Sequence, residues 1–142
     1  FGTNLQQCST SKQVYNFNSA EALTLDNIES GLIQNQITPL NAPRTALIGT
    51  TTNKLIYRLF TGGVITSNYF CNSTTPTLPA ISQEWIADAG VANVKGIIEV
   101  TTTSVLGAYT HHIVLKKVTF SKGNNNFTLG DSYVLGDLIT TN

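Results

Sequence analysis

The chain has 142 residues, enough for one domain with a core of ordinary size. Eight Lys and Arg balance eight Asp and Glu, and charged residues make up only 11% of the chain, well below the roughly one quarter of a typical soluble domain. This excludes the basic patch of a nucleic-acid binder and any electrostatic pull toward an anionic membrane. No run is apolar and long enough to cross a bilayer as a helix. The polar surface must therefore come from Thr, Asn, Ser and Gln. That composition is common in secreted and cell-surface β proteins, because Thr suits a pleated, half-wet strand.

The first residue is Phe1 and the chain contains no Met. A removed export signal and a shortened chain each account for this. Cys8 and Cys71 are the only cysteines. An even count in a Thr/Asn-rich chain points to one disulfide and an oxidising compartment, with two buried free thiols as the alternative. A bridge would close a loop of about sixty residues, worth roughly 4 kcal/mol in the chain-entropy model.

In chain order, Phe1–Lys12 is polar and reads as an extended lead-in, tied down only if Cys8 is bridged. Val14, Tyr15 and Phe17 form a short strand. Ser19 followed by Ala20, Glu21 and Ala22 has the look of a helix start, but the alternation of Leu23 and Leu25 favours a strand over Ala22–Leu25. Gly31–Ile37 reads as a further strand, TPLNAP around Pro39 and Pro43 as a loop, and Thr45–Gly49 as a short apolar run. Lys54–Phe60 is a stronger strand, with Leu55, Tyr57 and Leu59 on one face and Ile56, Arg58 and Phe60 on the other. Gly62-Gly63 supplies a turn, and Val64–Phe70 returns as its partner strand beside Cys71.

After the loop Asn72–Pro79 comes the one expected helix. Ser82 serves as its N-cap, Glu84 lies in its first turn and Gly90 ends it. Trp85 sits at its centre and is expected to plug one end of the β core, its ring buried and its indole N–H partnered. The strongest pattern is Val94–Phe120, where the runs Lys95–Ser104 and Tyr109–Phe120 flank Gly107 as a long hairpin. Ser121–Asn126 is the next turn. Phe127–Leu129, Tyr133–Leu135 and Leu138–Thr141 follow as short strands, with Gly130 and Gly136 marking bulges or bends. Strands at this spacing predict an all-β fold: an antiparallel β-sandwich, Ig-like or jelly-roll-like, or a small barrel. Residues 1–142 make a single domain.

Among residue types that carry chemistry, His111-His112 is the most prominent pair. On a strand, neighbours point to opposite faces, so one strand cannot offer both to a single metal, and two ordinary strand histidines are the better reading. Glu84 and Asp88 would share a helix face as a cation site or acid/base pair, or simply as a solvated face. Asp131 and Asp137 each follow Gly and read as turn residues. Cys71 with His111 or His112 has no local nucleophile signature. Lys116-Lys117 reads as a solvated strand. Tyr57, Phe70, Trp85, Tyr109 and Tyr133 are candidates for a sugar-stacking platform, although core packing accounts for most aromatics. Asn72-Ser73-Thr74 and Asn126-Phe127-Thr128 match the N-glycosylation acceptor, which matters only in a eukaryotic source.

The phrases QEWIADAG, GIIEVTTTS and YTHHIVLKKVTFSKGNNNFTLGDSYVLGD resemble small exported lipoproteins of Bacteroidetes, of flavobacterial type. The resemblance covers Trp85 to the C-terminus and, more loosely, the region of Cys8. It implies export, anchoring through a lipidated cysteine and a β-rich domain at the outer membrane. Such lipoproteins begin at the lipidated Cys, whereas this chain begins at Phe1. Either the anchor lies upstream, or Cys8 is the lipid site and the disulfide reading fails.

The expectation is a non-enzymatic domain at the cell surface, outer membrane or periplasm that contacts other proteins, as an accessory subunit of an outer-membrane assembly. It has no cofactor and no metal or catalytic residues, no nucleic acid among its partners, and no transmembrane segment. The alternatives are a carbohydrate-binding module and a filament subunit assembled by strand addition through Phe1–Lys12. A hydrolase comes last.

Overall fold

The computed structural model describes residues 2–8, 12–71 and 76–141. They form two antiparallel sheets packed face to face, both open at their edges. The larger has seven strands in the order β1 (Gln6–Gln7), β2 (Val14–Phe17), β3 (Glu21–Asp26), β5 (Lys54–Thr61), β6 (Ala80–Ala87), β9 (Thr119–Lys122) and β10 (Asn125–Thr128). The smaller runs β11 (Ser132–Thr141), β8 (Ala108–Lys116), β7 (Ile97–Val105) and β4 (Arg44–Leu47). One short helix, α1, spans Asn68–Cys71.

Period-two alternation decides what meets between the sheets. Val14, Leu23, Leu25 and Leu55 of the larger sheet pack against Ile98, Val100, Ile113 and Leu115 of the smaller. Burying each of these aliphatic side chains is worth about 1.5–3 kcal/mol, so this layer is the main source of stability. A second cluster lies on the opposite face of the larger sheet. There Ala22 and Phe60 pack with Ile65 and Tyr69, flanked by Phe17 and Phe70. The Tyr15 and Phe70 rings stack at 4.2 Å.

The long hairpin is β7–β8. Val105 pairs with Ala108, leaving Leu106 and Gly107 as a two-residue turn with φ of 53° and 82°. Positive φ at both positions matches the twist of the flanking strands. The second run ends sooner than its sequence suggests. Lys117 adopts φ 52°, and the chain crosses to the other sheet, where Thr119–Lys122 pairs with β6 and β10. A single strand cannot serve both sheets, and the crossing buries Val118 and Phe120.

Three sequence expectations are corrected. The residues around Trp85 form strand β6, not a helix, because β5 pairs along them from Ile86 to Ala80 and β9 adds Ser121 and Phe120 opposite Ile86 and Ala87. Local capping signals at Ser82 and Gly90 yield to that pairing and to the strand preference of Ile and Trp. Val64–Phe70 is not the partner of β5. It loops over the outer face and ends in α1, since only a helical turn puts the adjacent Tyr69 and Phe70 into one apolar cluster. Gly31–Ile37 is a turn-rich loop rather than a strand. In addition, Tyr133–Leu135 and Leu138–Thr141 belong to one strand, β11, with a bulge between Val134 and Gly136.

The lead-in is part of the fold. Leu5 N–H donates to Asp137 C=O at 2.9 Å, and Asp137 N–H to Thr3 C=O at 2.7 Å, while Gln6 and Gln7 pair with β2. The segment thus spans both sheets. Gly136 is required where it crosses β11, because a Cβ there would sit 2.6 Å from the Thr3 carbonyl oxygen. Cys8 and Cys71 form a disulfide with Cα atoms 5.4 Å apart. It staples the lead-in to α1 and occupies the sulfur that a lipid on Cys8 would need.

Candidate functional site

Three features stand out: an aromatic cleft, a buried polar chain and an exposed apolar tip. The cleft has a volume of about 300 Å³ and opens at one end of the space between the sheets. Tyr57 of β5, Phe120 of β9 and Phe127 of β10 line one side, and Tyr133 of β11 lies across from them. Leu23 and Leu129 complete the apolar wall, and Glu21 of β3 is the only charged group among the described residues that line it. Phe120 and Phe127 stack at 5.1 Å, and Tyr57 meets Phe127 edge-on at 5.9 Å. Tyr57 donates to Glu21 Oε2 at 2.8 Å. Burial and then the Glu21 hydrogen bond and charge push the Tyr57 phenol up to about 12. Burial, followed by the Glu21 charge, also raises Tyr133. Both phenols are therefore neutral hydroxyl groups at physiological pH.

The polar chain crosses the inner face of the smaller sheet. His111 is fully buried. Its Nδ1 lies 2.8 Å from Thr102 Oγ1, and its Nε2 lies 2.8 Å from Thr140 Oγ1. The Thr140 hydroxyl donates to Asn35 Oδ1, so His111 carries its proton on Nε2 and donates to Thr140. Nδ1 then accepts from the Thr102 hydroxyl, which itself accepts from Arg44. Burial first, and the Arg44 charge second, lower the His111 pKa below its ordinary value. The same guanidinium donates to the carbonyls of Leu32 at 2.8 Å, Gln36 at 3.1 Å and Gln34 at 3.2 Å. One side chain thus organises a loop that has no strand of its own.

The tip is the β7–β8 turn. Leu106 is completely exposed, and Val105 is 69% exposed. Thr38 N–H donates to Thr102 C=O at 3.1 Å, and Thr102 N–H to Thr38 Oγ1 at 3.1 Å. These bonds hold Thr38 beside Thr102 of β7; its neighbours Ile37 and Leu40 are 60% and 91% exposed. Neither Gln34–Pro43 nor Thr101–Thr110 contains a charged residue.

The structure separates most residues that the sequence singled out. His112 points outward and pairs with Asp137 at 2.6 Å, on the face opposite His111. Asp137 is thus a strand residue, while Asp131 sits at a bend after Gly130, whose φ is 80°. Glu84 pairs with Arg58 at 2.7 Å, and Asp88 accepts from Ser121 at 2.7 Å, so the two share no helix face. Tyr57 and Tyr133 share the cleft. Trp85 is half-buried on β6, edge-on to Phe127, with Lys122 Nζ 5.8 Å from its ring and its indole N–H 3.2 Å from Gln83 Oε1. Phe70 belongs to the outer-face cluster, and Tyr109 lies on β8. Lys116 reaches Ser132 at 3.3 Å. Asn126 is exposed on edge strand β10, and Asn72-Ser73-Thr74 lies outside the described residues. Among the described residues, no three His, Cys, Asp or Glu side chains gather as metal ligands. The reading of single residues missed Arg44, Glu21 and Phe127. Each gains its role from strands distant in sequence.

Together these features define a disulfide-stapled, two-sheet β domain. Comparison with protein-family models, curated proteins and solved structures finds no significant match.

Proposed function

We propose that this is a non-enzymatic, exported domain that acts by contacting another protein, as an accessory subunit of an outer-membrane assembly. The apolar tip carries this reading. Leu106 holds a left-handed backbone conformation that branched and bulky residues avoid, and its side chain is wholly exposed. Exposed apolar surface at a strained position fits a contact residue better than a packing residue. Val105 adjoins Leu106, and no charged residue lies between Thr101 and Thr110, the composition of an interface centre. The Cys8–Cys71 bridge, the Thr/Asn-rich surface and the resemblance to exported lipoproteins support an oxidising, extracytoplasmic setting.

Sugar binding has less support, since the five candidate aromatics do not share one face. Filament assembly through the lead-in also has less, because Thr3–Gln7 is paired within its own domain. The test is mild-detergent extraction from the native source, then size exclusion and intact-mass measurement of the wild type and Leu106→Asn. Co-elution of the wild type with a membrane protein, lost in the variant, supports the reading. A free monomer in both cases contradicts it.

A further inference from the structure

We infer that the aromatic cleft binds a small organic cation, of the primary or quaternary ammonium class, against Glu21. A cation is attracted to the negative faces of aromatic rings, and the attraction grows as the site is desolvated. Tyr57, Phe120, Phe127 and Tyr133 supply those rings from both sheets around about 300 Å³, the small end of the range for ligand pockets. Glu21 supplies the opposite charge. Among the described residues, the ion pairs are Arg58–Glu84 and His112–Asp137, so Glu21 has no cationic partner there. The Tyr57 hydroxyl fixes one of its oxygens at 2.8 Å, which orients the carboxylate without neutralising it.

The chemistry separates this class from others. An anion meets Glu21 and the ring faces, both repulsive. A sugar needs a ring of donors and acceptors, whereas here one carboxylate and two phenols face mostly apolar walls. An uncharged apolar ligand would leave the carboxylate desolvated without compensation. Lys122 lies over Trp85 at 5.8 Å; Trp85 is not one of the rings that line the cleft, so that lysine does not fill it, while Phe120 and Phe127 keep one face on each other.

The test uses choline, its uncharged carbon isostere 3,3-dimethylbutan-1-ol, and glucose, added to the isotope-labelled protein and followed by NMR. The expected result is saturable movement of the Tyr57, Phe127 and Tyr133 ring signals with choline, and at least about tenfold weaker binding of the isostere. Glu21→Gln keeps the hydrogen bond from Tyr57 and should weaken choline at least about tenfold while leaving a dispersed amide spectrum. If that variant misfolds, Tyr133→Leu removes one wall and should show the same loss. Equal binding of choline and its isostere, preference for glucose, or no saturable shift with choline up to ~10 mM would each overturn the inference. The cleft and the apolar tip involve different residues, so either result leaves the protein-contact proposal to its own test.

Discussion

Thr102 Oγ1 lies 2.8 Å from Nδ1 of His111, a histidine with no exposed surface. The contact makes His111 an acceptor at Nδ1 and holds it in the neutral form. Burial, then the nearby Arg44 charge, lower its pKa. The unfolded chain therefore takes up a proton at a higher pH than the native state does. The stability His111 contributes is complete above about pH 6.5 and is lost as pH falls through the interval down to its lowered native value. Urea unfolding between pH 7.5 and 5 should show a falling midpoint, and His111→Gln should flatten that dependence. An unchanged slope in the variant would assign the pH effect elsewhere.

Arg44 should be among the most sensitive positions in the chain. Removing it takes the guanidinium donor from the carbonyls of Leu32 and Gln36, leaves Gln34 C=O with the Gln36 N–H alone, and frees the Thr102 hydroxyl. Arg44→Ala is expected to cost about 3 kcal/mol, read as a lower denaturation midpoint. Arg44→Lys should recover only part of this, because an ammonium cannot reproduce the guanidinium fork. Amide exchange should quicken across residues 32–38 in both variants.

Thr24 offers the opposite effect. It is buried in β3, and its hydroxyl has no hydrogen-bond partner among the described residues. Thr24→Val keeps the shape and removes the orphaned group, so it should stabilise the domain by about 1 kcal/mol. Thermal unfolding checks the sign. A loss of stability would mean that the hydroxyl is satisfied after all.

Leu106→Asn should also stabilise, by about 1 kcal/mol, because Asn followed by Gly is the preferred pair for a turn with two positive φ values. If the same substitution abolishes co-elution with the partner, stability and function separate at one residue. A change that strengthens the fold yet removes binding cannot be explained as unfolding.

Much of the fold was legible because alternation is local. The Leu23/Leu25 and Leu55/Tyr57 patterns, the turn at Gly107 and the opposite faces of His111 and His112 all follow from the two-residue period. Two cysteines allow only one internal bridge, Cys8–Cys71, but the count alone left free thiols and a lipidated Cys8 as alternatives. Long-range structure was less visible. The capping signals at Ser82 and Gly90 are real as local preferences, but the ladders from β5 and β9 outweigh them. Val64–Phe70 is apolar enough for a strand, yet its two adjacent aromatics need one face. Arg44 looked ordinary because its partners at Leu32, Gln34, Gln36 and Thr102 meet only in the folded chain. Only part of the cleft was legible. Tyr57 and Tyr133 stood out as aromatics, whereas Glu21 had only the look of a helix start, because its neighbours in the cleft come from β5, β9, β10 and β11.

Whether the β7–β8 tip meets a protein partner is read by site-specific photocrosslinking in the native source, with a benzophenone side chain at Leu106 and, as control, at Asn124 in the β9–β10 turn. A discrete protein adduct is expected from position 106 and none from position 124. No adduct from position 106, or the same adducts from both turns, would contradict the proposed contact.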